Sequence, residues 1–162
     1  MGIVENRIHE LGLELPACPS PVADYVPAVQ FQGNLVYVSG QGCAKGGKLL
    51  HQGKLGSSVT IEEGAACAEQ AVLNCLAALK SEIKDLDRVD RVVKLLGFVA
   101  SEPGFDQQPY VINGASRLLI QLFGENGKHA RAAIGTNELP FGTPVEIEMI
   151  VELKPSMDHM AS

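Results

Sequence analysis

Between residues 60 and 83 the apolar positions return with a helical period. Ala68, Val72, Cys75, Leu76, Leu79 and Ile83 fall at i, i+4, i+7, i+8, i+11 and i+15 and form one continuous face. Thr60-Ile61-Glu62-Glu63 precedes them with capping-box spacing, in which a hydroxyl and a carboxylate each satisfy the other residue's backbone N–H. Asp106 and Pro109 announce a second helix, with Ala115, Leu118, Leu119 and Leu122 turned inward and an end at Gly124. A shorter amphipathic helix is expected over residues 3–13, carrying Ile3, Val4, Ile8 and Leu11 on one side. Pro16, Pro19 and Pro21 then impose an extended lead-in.

The remaining apolar runs read as strands. Val26 to Phe31 and Leu35 to Ser39 are joined by Gln32-Gly33-Asn34, a hairpin signal. A short strand is expected around Leu49 to Gln52, inside a loop rich in glycine and lysine. Arg91 to Ser101 is apolar on both faces, Val92, Leu96 and Phe98 against Val93, Leu95 and Val99, as in a strand buried on both sides. Two strands close the chain, Ala130 to Thr136 and Pro144 to Lys154, with Leu139-Pro140-Phe141-Gly142 between them. The order predicts an α+β fold: a mixed sheet of five to six strands with two long helices packed on one face. Two helices leave the second face of the doubly apolar strand uncovered, and self-association through the sheet is the economical cover.

Composition narrows the class. The 162 residues suit a single domain, with 46% apolar and 20% charged side chains. A net charge of −6 disfavours nucleic acid and anionic membranes as partners. No apolar run reaches membrane-spanning length and the first 13 residues lack a signal-peptide core, so a soluble, cytoplasmic protein is expected. Cys18, Cys43, Cys67 and Cys75 contain no C-x-x-C pair and the four histidines are scattered, so no metal site is expected.

Three patterns invite chemistry. Gly42 to Lys48 fits seven positions of a phosphate-binding loop, but Leu49 stands where a hydroxyl is required and no helix start follows; a glycine-rich hairpin is expected. Glu146, Glu148, Ile150 and Glu152 share one face of the last strand, a pattern usual for a solvated face. Arg131 lies among small apolar residues in Ala130-Arg131-Ala132-Ala133, where a guanidinium needs an anionic partner. The residue types leave two readings open: an ion pair with a glutamate of a neighbouring strand, or a fork for a ligand's carboxylate.

Over about residues 22–153 the chain resembles the RidA (YjgF) family. The resemblance is carried by Tyr25 through Ser39-Gly40-Gln41, Val111-Ile112-Asn113-Gly114-Ala115, His129-Ala130-Arg131, and Leu139-Pro140 through Val145-Glu146-Ile147-Glu148. It implies a single RidA-like core over 22–154, preceded by the helix and lead-in of 1–21 and followed by a tail over 155–162. The implied fold is chorismate-mutase-like, assembled as a homotrimer with clefts between subunits. The implied activity is hydrolysis of 2-imino and enamine acids to 2-keto acids and ammonia, without metal or cofactor. Arg131 would hold the substrate carboxylate and Glu146 serve as general base, with Tyr25, Ser39, Gly40 and Asn113 lining the substrate site. A non-catalytic trimeric module binding small carboxylates is the alternative, and endoribonuclease activity a distant third. The family's cysteine two residues after the arginine is Ala133 here, and the N-terminal helix and the Lys45 to Leu55 loop are additions that mark a divergent branch.

Overall fold

The capping box predicted at Thr60 is formed: the Glu63 N–H donates to Thr60 Oγ1 at 3.1 Å and the Thr60 N–H to Glu63 Oε2 at 2.9 Å. It opens the longest helix of the computed structural model, which describes residues 1–20 and 23–155. In chain order the elements are α1 (Ile3–Glu10), β1 (Ala28–Phe31), β2 (Leu35–Gln41), β3 (Ala44–Lys45), β4 (Lys48–Leu49), α2 (Ile61–Ile83), β5 (Val89–Ala100), α3 (Gln108–Phe123), β6 (Ala130–Thr136) and β7 (Val145–Leu153). Single 3₁₀ turns stand at Leu86–Arg88, Gly124–Gly127 and Pro140–Gly142. The main sheet runs β1-β2-β7-β5-β6, antiparallel except for the parallel pair β5–β6; β3 and β4 form a separate hairpin.

All six residues of the predicted α2 stripe are buried, as are Ala115, Leu118, Leu119 and Leu122 of α3. They pack on one face of the sheet against Val145, Ile147, Met149, Val151 and Leu153, the alternate residues of β7. The two helices approach closely at Gly114, where a β-carbon would collide with the Ala65 carbonyl. Cys43, Cys67 and Cys75 are buried free thiols in this core. No described helix is long and apolar enough to cross a membrane.

The second sheet face carries Val29, Phe31, Tyr37 and Ile134, each more than a third exposed, with Leu96, Phe98 and Ile150 half-buried beside them. Its membership differs from simple alternation on β5. Val92 pairs with Val151 and Lys94 with Ile150, so Val93 is an extra residue in a bulge and shifts the parity of the strand. Val92 therefore joins Leu95 and Val99 on the helix side, leaving Leu96 and Phe98 on the open side.

Other expectations need smaller corrections. The β1–β2 hairpin forms over the three residues Gln32-Gly33-Asn34, since Phe31 pairs with Leu35, and Gln32 and Gly33 both have positive φ. The strand expected at Leu49 to Gln52 is instead the hairpin β3–β4, turned at Gly46-Gly47. This is the phosphate-loop look-alike, and α2 begins well beyond it at Ile61. On α1 the inward pair is Val4 and Ile8, while Ile3 and Leu11 are exposed, because docking on α3 covers only a narrow i, i+4 stripe. Its free N-terminus is held from a distance: Asp87 accepts the Ile3 and Val4 N–H groups at 2.7 and 2.9 Å. Asp106 precedes α3, but the cap position is Gln107. The tail expected over 155–162 lies almost wholly outside the described residues.

Candidate active site

The predicted site residues fall into two groups. Tyr25, Ser39, Gly40 and Glu146 line one cleft of about 560 Å³, together with Tyr37, Phe141, Thr143 and Glu148. Glu146 projects from the open face of β7. Beside it, β2 bulges between Val38 and Gln41, and a β-carbon at Gly40 would overlap the Glu146 carboxylate. Only glycine leaves that carboxylate its place. Ser39 is committed elsewhere, its hydroxyl donating to the Val26 carbonyl at 2.7 Å, so it ties the segment bearing Tyr25 to the sheet. Asn74 of α2 donates to the Gly42 and Ala44 carbonyls, both at 2.9 Å, and fixes the far wall.

The Glu146 carboxyl is held above the usual carboxylate range, first by burial and then by the charge of Glu148. Among the described residues no side chain or backbone N–H donates to it. Glu148 differs: Tyr37 donates its hydroxyl to Glu148 Oε1 at 2.7 Å, and that bond raises the Tyr37 pKa. Three acidic residues on one strand face thus have different surroundings. Glu152 accepts from Asn34 and pairs with Arg91, Glu148 is bonded to tyrosine, and Glu146 alone is desolvated without a donor. A general base is expected to look like the last of these.

Arg131 and Asn113 form the second group. Pro109, Asn113 and Ser116 stand at i, i+4 and i+7 on α3, one stripe facing edge strand β6. Arg131 Nη1 donates to Asn113 Oδ1 at 2.8 Å and to Ser116 Oγ at 3.2 Å, and Nη2 reaches the Pro109 carbonyl at 3.5 Å. Every acceptor is neutral, and none of the ion pairs among the described residues includes Arg131. The ion pair with a neighbouring-strand glutamate is not formed, because β6 borders only β5 and the glutamates lie one strand further, on β7.

Within one chain the two groups cannot cooperate. Arg131 pairs with Leu95 and points to the helix side, whereas Glu146 pairs with Phe98 and points to the open side. Two strands across and three residues along, their Cα atoms are about 14 Å apart. Sequence reasoning missed several neighbours of these groups. Tyr37 and Phe141 in the cleft lie within the segments of the resemblance without being singled out, and Ser116 beside Arg131 carries no motif; the fold assembles all three, and Phe141 is 76% exposed with φ +60°.

Comparison with known proteins shows the family. The family described as "YjgF/chorismate mutase-like, putative endoribonuclease" matches residues 5–153, which takes in most of α1 as well as the core. Protein TCP17 of Trypanosoma cruzi is 44% identical over 160 residues, covering 94% of this chain and 95% of that protein. The crystal structure of Atu1372 from Agrobacterium tumefaciens superposes with a TM-score of 0.87 at 45% identity, covering 94% of this chain and 93% of that one. A structure from Shewanella oneidensis, named a putative endoribonuclease, gives a TM-score of 0.88 at 33% identity over 93% of this chain and 99% of its own. With its sheet order, its arginine edge strand and its glutamate-bearing central strand, the chain belongs to the YjgF/chorismate-mutase-like family.

Proposed function

We propose that this protein hydrolyses 2-imino and enamine acids to 2-keto acids and ammonia, in clefts formed between copies of the chain. The observation that carries the reading is the Arg131 guanidinium, oriented by neutral acceptors and in no ion pair among the described residues. Such a group is suited to a ligand's carboxylate, which a guanidinium grips with two parallel hydrogen bonds. The desolvated Glu146 supplies the complementary half. Because the two point to opposite sides of one sheet, a second copy must bring its glutamate to the first copy's arginine. The apolar open face, with Val29, Phe31, Tyr37 and Ile134, is the surface through which a homotrimer would pack.

In this reading Arg131 fixes the carboxylate, and with it the neighbouring C=N carbon, close to the adjoining copy's Glu146. Glu146 takes a proton from water as the oxygen adds to the imine carbon. Return of that proton to nitrogen gives the carbinolamine; the same carboxylate then passes the hydroxyl proton to nitrogen, and the C–N bond breaks, releasing ammonia as the carbonyl of the keto acid forms. Imines hydrolyse unaided in water, so a thousandfold gain asks for only about 4 kcal/mol, within reach of positioning plus one base. No cofactor is called for.

A binding module for small carboxylates would use the same arginine, and turnover separates the two readings. The ribonuclease named in the family description fits less well. The net charge is −6, and the cleft presents Glu146 and Glu148 where a phosphate backbone would lie. The test generates 2-imino acids with an amino acid oxidase in the presence of semicarbazide as a competing trap. The wild type is expected to lower the semicarbazone yield. Arg131→Ala should lose that effect by about two to four orders of magnitude, since two charge-assisted bonds contribute about 1.5–3 kcal/mol each. Full activity in that variant would end the proposal.

A further inference from the structure

Behind Arg131 stands a hydrogen-bonded pair that the reaction above does not use. Ser116 Oγ lies 2.9 Å from His129 Nε2, and His129 Nδ1 lies 2.7 Å from the Gly127 carbonyl. A carbonyl only accepts, so Nδ1 must carry the proton and Nε2 must be the bare acceptor. Nε2 therefore takes the Ser116 hydroxyl hydrogen, which leaves the serine lone pairs to accept from Arg131 Nη1 at 3.2 Å. The chain of donors has one direction: Arg131 to Ser116, Ser116 to His129, His129 to the backbone. Asn113 takes the second Nη1 hydrogen. With Nη1 fully used and only a long contact from Nη2, the Nε edge of the guanidinium is the one turned free.

We propose that Ser116 and His129 are positioning residues for the Arg131 fork, a two-link relay that fixes which edge of the guanidinium meets a carboxylate. The inference rests on Arg131 being the carboxylate site but not on catalysis, since a binding module would need the same orientation. The relay is also proton-sensitive. Burial lowers the imidazole pKa below its usual 6.5 and the Arg131 charge adds to this, against the opposing effect of the Gly127 carbonyl, so the neutral ring is the resting form. Arg131 of β6 is the charged group acting on the ring, while α3 presents the neutral Ser116 and the 3₁₀ turn a carbonyl. Protonation would put a hydrogen on Nε2 and remove the acceptor of the Ser116 hydroxyl, so the relay holds while the ring is neutral, and anion affinity is expected to weaken as pH falls through the histidine's titration.

The experiment is calorimetric titration of the full chain with 2-oxobutanoate between about pH 5 and pH 8, beside ¹⁵N spectra of the imidazole. Ser116→Ala and His129→Leu are each expected to weaken binding about tenfold at neutral pH, and the double variant little more, as links of one chain do. Ser116→Thr and His129→Gln, which keep a hydroxyl and an acceptor, should recover most of the loss. His129→Gln should also flatten the pH dependence, which a merely structural role would leave in place. Wild-type spectra should show Nδ1 protonated and Nε2 bare. Unchanged affinity in the alanine and leucine variants, or a ring protonated at Nε2 at neutral pH, would overturn the inference. Keto-acid binding without imine turnover would sink the catalytic reading and leave this one standing; wild type that binds no keto acid would sink both.

Discussion

The arginine half and the glutamate half of the site are built on opposite principles. Arg131 sits on an exposed edge strand, yet its head is fixed by Asn113 and Ser116, which a regular helix presents at fixed spacing. Glu146 sits on a central strand and has no donor among the described residues, in a cleft walled by a bulge, a glycine and an exposed phenylalanine loop. One half is rigid by hydrogen bonding; the other is reactive by desolvation. A cation that must recognise a planar anion benefits from orientation, whereas a base that must take a proton near neutrality benefits from a raised pKa. The two groups occupy opposite faces of the sheet, where each has its own environment, and the proposed function has a second copy bring them together.

The largest expected effect tests that division directly. Arg131→Ala and Glu146→Gln should each be inactive alone, but unfolding and reassembling them together should restore activity. With random mixing about a quarter of inter-subunit clefts would hold one intact arginine and one intact glutamate. No recovery in assays of the mixed oligomers would place both residues in one chain's site or remove one from the reaction. Next, Glu146→Gln should lower kcat by about 10²- to 10⁴-fold with KM little changed, as loss of a general base does, while loss of a ground-state contact would move KM.

A smaller effect concerns the acid limb of the pH profile. Burial and Glu148 both raise the Glu146 pKa, and the base works only when ionised, so activity should fall as pH drops through a value above 4.5. Glu148→Gln removes the second cause and should move that limb to lower pH; a limb that stays in place would detach Glu148 from the site. Smallest is an effect outside both halves. Burial raises the pKa of Asp87, but the N–H groups of Val4 and Ile3, with Lys154 and Arg7, outweigh it and hold the carboxyl below its usual 3.8. The folded value being the lower one, this anchoring is complete above pH about 4 and lost as pH falls through the folded value. Asp87→Asn should speed hydrogen exchange at the first turn of α1 at neutral pH, leaving turnover unaltered.

Much of this was readable along the chain where a local rule acts alone. The α2 stripe and its Thr60–Glu63 box follow from a 3.6-residue period and one four-residue motif, and both form as expected. The Gln32-Gly33 turn needs positive φ at two consecutive residues, and a glycine signals it. Val92 is the counter-example. Its face depends on a bulge set by registry with β7, and nothing within residues 91–101 marks Val93 as the extra residue.

The candidate site divides in the same way. Residue types alone brought attention to Arg131, because a cation among alanines has an electrostatic cost that something must offset. Whether that something was a strand glutamate or a ligand depended on which strands are neighbours, a matter of topology. The sequence by itself determined the helices, the strands, the family resemblance and the candidate residues, since these rest on periodicity, capping and motif spacing over short stretches. Only the tertiary structure decided that Arg131 has no carboxylate partner among the described residues, that Ser116 and His129 stand behind it, and that Glu146 faces the other way. Those facts depend on contacts between segments far apart in the chain, where strand order and pleat parity choose the neighbours.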